Sequence, residues 1–97
     1  MLALSPEQVN DALLTLPDWT YYHGRLKKTF VLQDFKHAMM FVQSVAIAAE
    51  ELDHHPEWSN IYNKVTIALC THDAGNTATA LDIELAHKIE AVFLSAS

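Results

Sequence analysis

The sequence predicts an α+β domain: a four-stranded antiparallel sheet with helices packed on one face, in the order α-β-β-α-β-β-α. Three observations carry this expectation. Apolar residues recur at helical spacing in three segments, near the start, the middle and the end of the chain. Two further segments, WTYYHGRLKKTFVL and WSNIYNKVTIALCT, alternate about short turn sequences and read as hairpins. Two hairpins split by a helix do not make a parallel sheet by themselves, whereas an antiparallel sheet covered by helices buries the apolar faces of both.

The elements follow in order. SPEQVNDALLTLP opens with Ser5 as an N-cap and Pro6 at the first helical position, and Pro17 is expected to end the helix. Val9, Leu13 and Leu16, with Ala12, trace its apolar stripe. In the first hairpin His23-Gly24 marks the turn, since glycine takes the positive φ that a tight turn needs. Leu26, Phe30 and Leu32 then share one face, opposite Lys27 and Thr29. The next segment, DFKHAMMFVQSVAIAAEELD, has Asp34 as N-cap and a stripe of Phe35, Ala38, Met39, Val42, Ala46 and Ala49, widened by Phe41, Val45, Ala48 and Leu52. So broad a stripe predicts a helix buried around much of its circumference, between the sheet and a further surface such as a neighbouring subunit. In the second hairpin the turn is expected near Asn63-Lys64, with Val65, Ile67 and Leu69 on one face and Thr66, Ala68, Cys70 and His72 on the other. Thr79 and Asp82, three residues apart, resemble a capping box for the last helix, whose core face is Leu85, Ala86, Ile89, Val92 and Phe93.

With 97 residues and 51% hydrophobic composition, the chain is expected to form one domain, residues 1–97, around one modest core. A net charge of −6 and scattered basic residues argue against a surface for nucleic acid, which needs clustered Lys and Arg. Cys70 is the one cysteine, so neither an internal disulfide nor a cysteine zinc site is expected. The opening MLALSPEQVN lacks a basic region and a long apolar stretch, and Ala38 to Ala49 is too short to span a bilayer. These features predict a cytoplasmic protein with no membrane segment.

The chemistry concentrates in histidines. EELDHHPEW places His54 and His55 after the carboxyl end of the long helix, and His72 follows the last strand. Element ends on a rigid scaffold are where functional groups tend to sit, and imidazole exchanges protons near neutral pH. The negative end of the helix, with Glu50 one turn back and Asp53 adjacent, favours a charged ring at His54, as general acid work requires. Pro56 pushes His55 toward an extended backbone and separates the two rings. The competing reading is a polar stop, with histidines capping carbonyls at an exposed turn. Adjacent histidines rarely share one ion and the usual helical pair is spaced i, i+4, so no metal site is expected. His23, His37 and His87 read as solvated. Trp19, Trp58 and Tyr62 read first as packing residues, although a flat heteroaromatic ligand would need such apolar walls.

Glu50, then His54-His55-Pro56-Glu57-Trp58, then Tyr62-Asn63-Lys64-Val65, Thr71-His72-Asp73 and Asp82 together resemble the pterin-4a-carbinolamine dehydratases. The likeness extends to Trp19 and the long helix and covers nearly the whole chain. It implies the same α+β fold and association as a homodimer or homotetramer. It also implies an activity: removal of water from a 4a-hydroxytetrahydropterin to give a quinonoid dihydropterin. That reaction recycles the cofactor of aromatic amino-acid hydroxylases and needs neither metal nor organic cofactor. His54, His55 and His72 become the catalytic candidates, expected to converge on one pocket. Glu50 and Asp53 would orient His54, and Asp82 would hold His72 or the loop. Pro56, Thr71, Asp73 and Trp19 would line the substrate. Relatives of this kind also serve as dimerisation partners of a transcription regulator, the alternative role. The loop AGNTATALD departs from the family pattern in being one residue longer and in lacking an apolar leucine.

Overall fold

A computed structural model describes residues 2–96 of the chain. Helix α1 (Pro6–Leu13) is followed by β1 (Thr20–Tyr22), β2 (Arg25–Val31), α2 (Phe35–Leu52), β3 (Glu57–Ile61), β4 (Lys64–Leu69), one 3-10 turn (His72–Ala74) and α3 (Ala80–Ala96). The four strands form one sheet in the order β1-β2-β4-β3, every neighbouring pair antiparallel. The α+β class and the element order are those the patterning predicts.

Capping chemistry starts α1 and α2 where the sequence places it. Ser5 accepts from the Gln8 backbone N–H while the Gln8 side chain returns to the Ser5 N–H, a reciprocal box that satisfies two orphan donors. Asp34 accepts from the His37 N–H at 2.8 Å and starts α2. The core then forms between the helices and one sheet face. Leu26 and Phe30 of β2 and Val65, Ile67 and Leu69 of β4 are buried there beneath Phe41 and Val45 of α2 and Leu85 and Ile89 of α3. Phe30, Phe41 and Phe93 meet with ring centroids 4.9 to 5.7 Å apart, tilted or edge-on as ring quadrupoles prefer. At the border of this cluster the Lys28 Nζ pairs with Glu90 at 2.7 Å and lies 4.6 Å from the centre of the Phe30 ring.

Three local expectations need correcting. Helix α1 stops at Leu13, before Pro17, because residues 14–16 tighten into turns bonded to Asp11, Ala12 and Leu13; Leu16 is buried all the same. The second hairpin turns at Tyr62-Asn63, one residue early, with Tyr62 at φ 52°. Side-chain amides make that position work: Asn60 donates to the Tyr62 and Lys64 carbonyls, and Asn63 to that of Leu32. Phe35 is half exposed at the first turn of α2, whereas Ala38 and Ala49 of the stripe and the widening residues Phe41, Val45 and Ala48 are buried. His37 and His87 are partnered, His37 Nδ1 to the Asp34 carboxylate at 2.6 Å and His87 Nε2 to the Thr15 hydroxyl at 3.3 Å.

Because Phe41 is fully buried between two other phenylalanines, Phe41→Ala is expected to cost about 3–5 kcal/mol in urea unfolding. Leu14→Ala, at an 83% exposed position, is expected to stay within about 0.5 kcal/mol of wild type.

Candidate active site

The site is assembled from three element ends. Helix α2 closes with Asp53 in the left-handed region at φ 49°, a conformation its short polar side chain tolerates. The Asp53 N–H bonds the Glu50 carbonyl at 3.1 Å and the His54 N–H bonds the Ala49 carbonyl at 3.0 Å, the paired bonds of a Schellman ending. This reversal brings the His54 ring to the amino end of α3. Its Nε2 lies 2.6 Å from Asp82 Oδ1, with 11% of the His54 side chain and none of the Asp82 side chain exposed.

Asp82 occupies the third position of α3 and closes the predicted cap. Its Oδ2 accepts the Thr79 backbone N–H at 2.8 Å, while Thr79 Oγ1 accepts the Leu81 N–H at 3.3 Å. The same Oδ2 also accepts from Thr71 Oγ1, beyond the end of β4, at 2.8 Å. Thr71 and Thr79 hydroxyls are themselves 2.8 Å apart. The buried Asp82 side chain thus has partners from three segments, the end of α2, the end of β4 and the start of α3, which offsets the cost of removing a polar group from water.

The other two histidines are held differently. His72 Nδ1 lies 2.6 Å from the Asn76 side-chain oxygen, and His55 Nε2 lies 3.0 Å from Glu50, both on the exposed surface. Of the two partners expected for Asp82, His72 or the loop, it holds the loop through Thr71 and Thr79 and also holds His54, while Glu50 serves His55 and not His54. Asp53 contributes its backbone to the helix ending and its side chain is exposed. His72 and Asp73 begin the 3-10 turn, directly after Thr71. Thr71 thereby links His72 along the chain to the His54–Asp82 couple. Pro56 is half-buried between His55 and β3. Trp19 is 4% exposed, edge-on to Phe30, and donates its Nε1–H to Glu90 at 3.0 Å, so its ring belongs to the core.

The loop after β4 is anchored on the first hairpin. Thr71 N–H bonds the Thr77 carbonyl at 2.9 Å and the Tyr21 hydroxyl meets Thr77 Oγ1 at 2.9 Å. Gly24, at φ 79°, lies so close beneath that a Cβ there would stand 2.4 Å from the Asn76 carbonyl. That glycine is required twice, by its dihedral and by the backbone above it.

On the outer sheet face Arg25 makes a two-pronged pair with Glu57 at 2.9 and 3.2 Å. The hydrogen bonds from Arg25 hold the Glu57 carboxyl below its ordinary range, with a smaller contribution from the nearby His72. Burial pushes the Cys70 thiol up, so it behaves as a small apolar group and not as a nucleophile. A shallow recess of about 210 Å³ beside them is lined by Lys27, Glu57, Trp58, Ser59, Thr66 and Ala68. A larger open groove of about 450 Å³ runs between α2 and α3 past Met40, Ser44, Ala91, Val92 and Ser95. Neither contains one of the three histidines.

Thr79 and Asn76 are the site residues that sequence reasoning missed. Thr79 was visible as a helix cap, and its partner Asp82 has a second oxygen that a cap does not use. No spacing marks Asn76, which the loop brings back to His72 by folding.

The fold and the part-buried histidine–aspartate couple define the class: a small α+β protein with a polar junction where two helix ends meet. The comparisons narrow the class. Residues 2–92 match the family described as Pterin 4 alpha carbinolamine dehydratase. A Bradyrhizobium diazoefficiens protein assigned by name to the pterin-4-alpha-carbinolamine dehydratases is 50% identical over 91 residues, spanning 92% of this chain and 90% of its own. One from Synechococcus sp. is 44% identical over 95% of this chain and 99% of its own. The crystal structure of a transcriptional coactivator/pterin dehydratase from Brucella melitensis superposes with a TM-score of 0.88 at 39% identity, covering 93% of this chain and 97% of that one. A pterin dehydratase-like RuBisCO assembly factor of the alpha-carboxysome shares the fold, with a TM-score of 0.64 at 18% identity over 77% of this chain and 86% of its own. The chain belongs to the pterin-4-alpha-carbinolamine dehydratase family.

The Arg25–Glu57 pair gives a pH signature. A carboxyl held below its unfolded value, near 4.5, adds stability above that value and loses it as pH falls through the lower folded value. Glu57→Gln is therefore expected to show a small Tm deficit at about pH 7 that disappears by about pH 3, small because both partners are solvent-screened. Calorimetry across that range checks the sign.

Proposed function

We propose that this protein dehydrates a 4a-hydroxytetrahydropterin to the quinonoid dihydropterin, with imidazoles carrying both protons. The observation that carries this reading is the division of each ring. His54 Nε2 is bound to Asp82, His72 Nδ1 to Asn76 and His55 Nε2 to Glu50. Every ring is oriented through one nitrogen, and the other faces away from that partner.

Hydroxide leaves C4a poorly, so the departing oxygen takes a proton as the C–O bond breaks and water forms. The cation left behind is delocalised toward the ring nitrogens, and loss of a nitrogen-bound proton completes the quinonoid product. A protonated His54 is charge-compensated by Asp82, which suits it to deliver the first proton through Nδ1. His72, held by a neutral amide oxygen with Nε2 bare, suits removal of the second. His55, with Glu50 and the half-buried Pro56, contacts the pterin, and Thr71 and Asp73 flank its polar edge. Neither step calls for a metal or an organic cofactor. A process that hydroxylates with a tetrahydropterin, such as an aromatic amino-acid hydroxylase, supplies such a substrate.

Association with further copies fits the same reading. All five residues of the edge strand β3 are exposed, and apolar Ile61, Met40 and Ile47 face outward from β3 and α2. A bare strand edge and exposed apolar helix positions both favour pairing. A non-catalytic binding module would use these surfaces alone and leave the ordered histidines without a role.

Following loss of the 4a-hydroxypterin absorbance, His54→Ala and His72→Ala are each expected to lower kcat by roughly 10²–10⁴-fold, with a smaller effect for His55→Ala felt in KM. Rates unchanged by the first two substitutions would count against the dehydratase. Light scattering is expected to give two or four times the chain mass of 10.9 kDa; a monomer at micromolar concentration removes the association proposal.

A further inference from the structure

We propose that Thr79 and Thr71 form a one-way hydroxyl relay that keeps Asp82 an acceptor at both oxygens, and so presents His54 with Nε2 protonated and Nδ1 open to substrate. The two threonines are positioning residues, and the inference rests on the dehydratase reading only for what Nδ1 then does.

Each hydroxyl has one proton to give. Thr71 Oγ1 gives its proton to Asp82 Oδ2 at 2.8 Å. At its 2.8 Å contact with Thr79 Oγ1 it must therefore accept, and Thr79 is the donor. Thr79 Oγ1 in turn accepts the Leu81 N–H at 3.3 Å. The direction is fixed from the backbone of α3 through two hydroxyls to the carboxylate. Asp82 Oδ2 also receives the Thr79 N–H, so it faces two donors and has no place for a proton of its own. Oδ1 meets only His54 Nε2, and with the carboxylate held as an acceptor the proton between them sits on the ring.

A helix cap alone does not require this arrangement. The cap is complete with Thr79 Oγ1 on the Leu81 N–H and Asp82 Oδ2 on the Thr79 N–H. Thr71 lies beyond the end of β4, outside the helix, and all three groups are at most 7% exposed. Its hydroxyl ties the strand end carrying His72 to the carboxylate holding His54. Competing hydration is excluded, so the polarity of the chain of hydroxyls persists without solvent to reverse it.

The test is histidine ¹⁵N NMR on the full chain, paired with dehydratase kinetics. The neutral His54 ring of wild type is expected to be protonated at Nε2; an Nδ1-protonated ring overturns the proposal without any variant. Thr71→Val keeps the shape, leaves the α3 cap intact and removes the hydroxyl. It is expected to mix the His54 tautomers and lower kcat roughly 10-fold with little change in KM. Thr71→Ser is expected to restore both readouts toward wild type. A folded Thr71→Val protein with unaltered tautomer and kcat overturns the relay, and Thr71→Ala serves where valine prevents folding. Loss of the tautomer preference in a protein whose wild type never turns over the pterin supports the relay and overturns the dehydratase reading.

Discussion

The structure turns on one carboxylate taken wholly out of water. Asp82 is stable there only because every direction around it is filled by a donor: the Thr79 backbone, the Thr71 hydroxyl and the His54 ring. Those donors come from the start of α3, the end of β4 and the end of α2. Removing any one strands a buried charge, so the three element ends are mutually fixed, and the chemistry inherits that rigidity. The apolar core between the helices and the sheet supplies the hydrophobic driving force, yet it is indifferent to where a ring nitrogen points. Direction comes from the polar tie.

A second constraint holds His72. Its loop is supported by the close approach of the Asn76 backbone to Gly24, by the Thr71–Thr77 bridge and by the Tyr21–Thr77 hydroxyl contact. The first hairpin thus acts as a platform under the loop, although it lies at the opposite edge of the sheet from β3. The loop packs against backbone instead of hanging free.

Much of this was legible in the sequence, for reasons that differ by element. Alternation on β4 and the caps at Ser5, Asp34 and Thr79 are local patterns with local causes, so period and composition suffice. The histidine motif announced the site through its residue types. Partner choice was not legible, because it depends on how far a chain reverses after Leu52. Placing Asp53 in the left-handed region sends His54 toward α3, leaving Glu50 to His55, and no spacing rule encodes that turn. Trp19 illustrates the same limit: an aromatic beside a hairpin can line a ligand or a core, and only the position of Glu90, 71 residues away, decides for the core. The Tyr62-Asn63 turn shows a third kind of limit, where amides of Asn60 and Asn63 support a dihedral that propensity alone disfavours.

The couple at the centre also sits where two helix ends of opposite polarity meet. The carboxyl end of α2 lies beside His54, and the amino end of α3 lies beside Asp82. The groups that close α2 and open α3 are those that hold the His54 ring. A hydrophobic replacement of comparable shape could keep the junction packed, but it would leave nothing to aim an imidazole. The polar junction gives the ring its direction, and the α2 Schellman ending is what brings that ring to Asp82.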